Sequence, residues 1–131
     1  MRIFFRASET LLSLKVPKVV SDLKSLSVAV FRATRLLPKH MRPKVGGRIE
    51  EHCLDAWLLG RQFALTAKDE KPASRQLLLK ALSHLDSMSC LFELCLELRA
   101  ISDGNFGEII QQTAVIQKQL HGLLKTYAES N

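Results

Sequence analysis

Histidines, cysteines and paired carboxylates are the residues that would carry chemistry in this chain, and their spacing argues against it. A di-iron site in a helix bundle needs inward glutamates and Glu-x-x-His motifs. No glutamate here has a histidine three positions on. Asp86, Glu93 and Glu97 share one helical face away from the apolar stripe and read as solvated charges. A Cys–His couple from His52 and Cys53, or from His84 and Cys90, fails on geometry. Helical neighbours diverge by about 100°, and residues six apart do not face each other. Structural zinc needs about four ligands in spaced pairs, and Cys53, Cys90, Cys95, His52 and His84 supply no such pair. An odd cysteine count without CxxC fits reduced, cytosolic thiols acting as small core residues. His84 and His121 read as surface or cap residues, and His40 as part of a basic turn. Nucleophile-elbow, Walker and G-x-G-x-x-G motifs are all missing. Gly46-Gly47 offers N–H groups to a phosphate, or simply a close helix approach. The reading is a non-enzyme with no metal, no cofactor and no small-molecule substrate.

What remains is charge neutralisation. Up to Arg48, eleven Lys or Arg stand against Glu9 and Asp22, a net of +9; from Ile49 onward eight basic residues meet eleven acidic ones, a net of −3. Such a split points to a polyanion on one flank, with nucleic acid the usual candidate. Arg32, Arg35, Lys39, Arg42, Lys44 and Arg48 fall within 17 residues. Lys18 and Lys24 extend the set toward the N-terminus. These eight are the candidate RNA or DNA contacts, releasing counterions from phosphates with little sequence preference. Phe31 is the one aromatic near the cluster, so recognition of backbone and shape is expected rather than base stacking. The competing readings are an ordinary solvated face, or an adaptor whose basic face meets an acidic protein.

These residues need elements to hold them. Pro17, Pro43 and Pro72 each precede a long periodic stretch, as at a first helical turn, where the missing N–H costs nothing. Four helices are predicted at about 17–38, 43–68, 72–101 and 105–129. The connections are Lys39-His40-Met41-Arg42, Asp69-Glu70-Lys71 and Ser102-Asp103-Gly104-Asn105. In the first helix Val16, Val19, Val20, Leu23, Leu26, Val30 and Leu37 make one stripe, with Lys18, Lys24, Arg32, Arg35 and Lys39 opposite. The second carries Ile49, Cys53, Ala56, Trp57, Gly60 and Phe63 on its core face. The third buries Leu78, Ala81, Leu85, Met88 and Phe92, and the fourth Ile109, Ile116, Leu120 and Tyr127.

Helices two and three also carry a second stripe each. Leu54, Leu58 and Leu65 lie on one, and Leu91, Leu94 and Leu98 on the other. A monomeric bundle buries about one stripe per helix. These six leucines are therefore the candidate oligomer interface, with a wide core stripe as the competing reading. Short connections make neighbouring helices antiparallel, so the fold class is all-α, an up-down-up-down four-helix bundle over 16–131 with helices of about 33–45 Å. Residues 1–15 read as an N-terminal extension. Composition agrees: of 131 residues 47% are apolar, 24% charged and 6% aromatic. No apolar run approaches the ~18–20 residues of a membrane span, so a cytoplasmic protein is expected.

Pro38, Lys39, Arg42, Val45, Gly46, Arg48 and Ile49 form a pattern with family specificity. The segment resembles the small bacterial four-helix-bundle proteins that include the accessory variability determinant (Avd) of diversity-generating retroelements. Relatives in that group are encoded in intervening sequences of 23S rRNA genes. Gly122 departs from the pattern, being followed by Leu123, Leu124 and Lys125 without a tryptophan. The resemblance implies a homopentameric ring of bundles with a basic surface. It also implies a reverse transcriptase and template RNA as partners, with mutagenic cDNA synthesis supported but not catalysed. An rRNA intervening-sequence-type protein would have no reverse transcriptase partner.

Overall fold

The computed structural model describes residues 17–127, and the extension expected over 1–15 lies outside them. Four helices make up the fold: α1 (Lys18–Thr34), α2 (Gly47–Leu65), α3 (Lys71–Glu97) and α4 (Asp103–Thr126). No strand occurs among the described residues. Each helix packs on its neighbour in the chain, and α4 also packs on α1. The periodic apolar residues fill the space between them. Leu23, Leu26 and Val30 of α1, Ile49 and Cys53 of α2, Leu78, Leu85 and Phe92 of α3, and Leu120 of α4 are fully buried. None of the described helices is long and apolar enough to cross a membrane.

The helices are shorter than predicted, about 25–40 Å, and each early stop has a local cause. The residue before a proline is driven out of the α region, so Pro38 ends α1 at Thr34 instead of 38. The chain does not then run as an irregular basic connection. Lys39–Met41 forms a 3₁₀ turn and Arg42–Gly46 a π-helical turn that runs directly into α2. Two contacts hold this corner. Arg42 Nε donates to the Leu37 carbonyl at 2.9 Å, and the Thr34 hydroxyl donates to the Glu50 carboxylate at 2.5 Å. At the other end of α2, Thr66 turns extended and its hydroxyl donates to the Gln62 carbonyl, ending the helix at Leu65.

Five residues connect α3 to α4. The Ala100 N–H reaches the Cys95 carbonyl and the Arg99 N–H the Leu96 carbonyl, which leaves Arg99 at φ 59°. This is the left-handed helix ending usually given to glycine. Ser102 then caps α4 by accepting from the Asn105 N–H at 3.1 Å, so the helix begins at Asp103 and not at 105. Gly60 lets Leu23 of α1 pack directly on the α2 backbone, since a Cβ there would stand 2.8 Å from Leu23 Cδ1. Asp22 ties α1 to α4 by accepting from Gln119 Nε2 at 2.7 Å. Lys18 and, after it, Gln119 hold its carboxyl below the ordinary 3.8.

Candidate nucleic-acid interface

Core packing settles one side of α1, and its period of 3.6 leaves the other side to water. Lys18, Lys24, Arg32 and Arg35 are all exposed there. Lys39, Arg42 and Lys44 on the two corner turns, and Arg48 in the first turn of α2, are exposed as well. One ion pair occurs among the described residues, Lys18 Nζ to Asp22 Oδ2 at 2.7 Å. The other seven cations form none with described residues. Arg42 nevertheless has a structural task, because its Nε is engaged by the Leu37 carbonyl.

The eight do not make one uniform surface. Lys24, Arg32 and Arg35, with exposed Val28, line an open groove of ≈ 360 Å³ between α1 and α2, and half-buried Phe31, Leu54 and Trp57 make its floor. Lys44 and Arg48 flank a separate depression that also includes Glu51 and Leu91. Lys18 stands about 21 Å along α1 from Arg32 and is already paired. Trp57, assigned to the core face by its spacing, is half-buried and shared between core and groove. Sequence reasoning missed it as a site residue. The signal was its position three residues after Leu54, at the edge of the core stripe.

Of the six interface leucines, Leu58, Leu65, Leu94 and Leu98 are between 45% and 58% exposed. Leu54 and Leu91 are half-buried, Leu54 in the groove floor and Leu91 beside Lys44 and Arg48. His52 of α2 meets His84 of α3, while Leu91 lies with Gly47 and Arg48. Leu58 and Leu65 thus sit toward the α2–α3 connection, and Leu94 and Leu98 toward the opposite end. Val28, Leu36, Leu79 and Val115 are exposed too, and the second stripes did not include them. Leu36 and Val115 both line a groove between α1 and α4.

The histidine pairing corrects the sequence reading of His84 as a surface or cap residue. The two Nδ1 atoms lie 2.9 Å apart in a half-buried position. Desolvation, then His84 and Arg48, push His52 below its ordinary value, against a raising effect of Asp55 and Glu51. The two lie 32 positions apart on different helices, and the spacing within either helix does not signal their meeting. Cys53 and Cys95 are buried, and burial raises both thiols, with the Ser27 hydroxyl opposing it at Cys53. Cys90 is exposed, contrary to its assignment as a core thiol. Its place on α3 points away from the buried stripe of Leu85, Met88 and Phe92.

The Gly46-Gly47 pair does not present a ready phosphate cradle. Gly46 is buried, and the Gly47 N–H donates to the Lys44 carbonyl. Among the described residues no three His, Cys, Asp or Glu gather closely enough to hold a metal ion. No protein-family model matches the chain, and no curated protein matches it in sequence.

Proposed function

We propose that this chain is a non-catalytic, nucleic-acid-binding accessory protein of a diversity-generating retroelement, working in the cytoplasm with a reverse transcriptase and its template RNA. The observation that carries the nucleic-acid part is the set of seven exposed cations, from Lys24 to Arg48, outside any ion pair with described residues. Cations left unpaired at a surface are free to displace counterions from phosphates. The reverse transcriptase and the retroelement rest on the likeness of Pro38–Ile49 alone. Short connections suit an up-down-up-down course. Exposed leucines at two different ends of the α2–α3 pair suit a head-to-tail contact between copies, which closes into a ring when the rotation permits. A homopentamer is the ring that the family likeness implies.

The test reverses charge where the corner does not depend on it. Arg32→Glu, Arg35→Glu, Lys44→Glu and Arg48→Glu together should abolish RNA binding at about 0.15 M salt while leaving helical circular dichroism intact. Arg42 is spared because it holds the Leu37 carbonyl. Each single variant should flatten the slope of log affinity against log salt by about 0.7 for every phosphate of a single strand that it no longer neutralises. RNA binding unchanged in the fourfold variant would overturn the reading.

A second reading, an adaptor for an acidic protein, is favoured by the exposed apolar side chains among the cations, Val28 and Leu36. It predicts that a partner stays attached to the chain after nuclease treatment and that free RNA does not compete. An rRNA intervening-sequence-type protein would instead bind RNA and recover no reverse transcriptase.

A further inference from the structure

The groove between α1 and α2 combines features that a phosphate-binding surface does not need. Phe31 and Trp57, both half-buried, contribute aromatic rings to its floor. The paired rings among the described residues are His52 with His84 and Phe63 with Tyr127, and neither Phe31 nor Trp57 belongs to such a pair. Lys24, Arg32 and Arg35 stand on the rim, and no acidic side chain lines the groove.

We propose that this groove takes an unpaired base of a single-stranded nucleic acid against Phe31 and Trp57, while Lys24, Arg32 and Arg35 hold the neighbouring phosphates. The inference rests on the nucleic-acid reading above and gives that surface a class of ligand. Aromatic faces accept any base by stacking, and cations beside them track the backbone. In a duplex the base faces are hidden in the stack, so the aromatic floor favours single strands. Anchoring Trp57 partly in the core holds its ring ready and lowers the ordering cost of binding. From Lys24 to Arg35 is about 16 Å along α1, room for several phosphates of one strand. Three cations and no acidic side chain line the groove itself, which suits the repeated phosphates of a strand better than a single carboxylate of a peptide.

Trp57 is the one tryptophan in the chain, so its fluorescence reports on the groove directly. The full chain is titrated with a short single-stranded RNA of mixed sequence, with a strand of equal length lacking bases, and with an acidic peptide bearing apolar side chains. Quenching by the base-bearing strand, together with about tenfold weaker binding of the abasic one, is the expected result. Trp57→Ala should weaken RNA binding by about tenfold with the salt slope unchanged, and Trp57→Phe should restore most of it. Equal binding of both strands without quenching would overturn the groove and leave the phosphate-binding reading standing. Binding of neither strand would overturn both. Quenching by the peptide without RNA binding would also overturn both and assign the groove to an acidic protein.

Discussion

His52 and His84 hold their 2.9 Å contact only while one Nδ1 carries a proton and the other accepts it. In the unfolded chain His52 takes up its proton near the ordinary 6.5; in the folded chain it does so at lower pH. Just below 6.5 the unfolded state therefore binds more protons, and acid destabilises the fold. Above that value both states are neutral and the effect is absent. It is complete once the pH falls below the folded value. The thermal midpoint should decline as the pH falls through about 6.5 and level off at lower pH, and His52→Gln should remove most of that slope. A parent midpoint that stays flat through this fall in pH would refute the assignment. No short motif announces this pair, because its members are 32 residues apart and meet only when α2 and α3 pack.

At the scale of the element, helix positions follow from apolar periodicity, and helix ends follow from caps. The stripes place all four helices, while the real boundaries depend on Pro38, on the Thr66 turn and on the Ser102 cap. The α3 ending is the most instructive of these. Arg99 occupies a left-handed conformation in which its Cβ crowds the following carbonyl, a cost of about 1 kcal/mol. Arg99→Gly should therefore stabilise the bundle by about that amount, raising the melting midpoint by roughly 4 °C. A lower midpoint would mean that the Arg99 side chain contributes more than its backbone costs. A glycine at this position would have signalled the helix ending from sequence; an arginine hides it.

At the scale of the whole molecule, the excess of apolar stripes over buried faces becomes a question of assembly. Leu58 and Leu65 near one end, and Leu94 and Leu98 near the other, are large side chains left in contact with water. Covering them by another copy would remove apolar surface at about 25 cal/mol per Å². The chain should run as an oligomer by light scattering, and Leu58→Lys with Leu98→Lys should reduce its mass toward that of one copy without loss of helix. A parent chain of monomeric mass at micromolar concentration would exclude assembly through these leucines.

Composition, proline placement and the 3.6-residue period were enough by themselves to specify an all-helical chain of four helices, most of its core residues and an exposed basic side of α1. Those properties are local, set by the geometry of each helix and by the preference of its residues for water or core. Other features depended on which helix lies beside which: the division of eight cations between two recesses and an ion pair, the entry of Trp57 into a groove with Phe31, and the meeting of His52 with His84. They join residues far apart in sequence through the packing of different helices, and helical periodicity within one segment carries no record of its neighbour. Only the tertiary structure decided them.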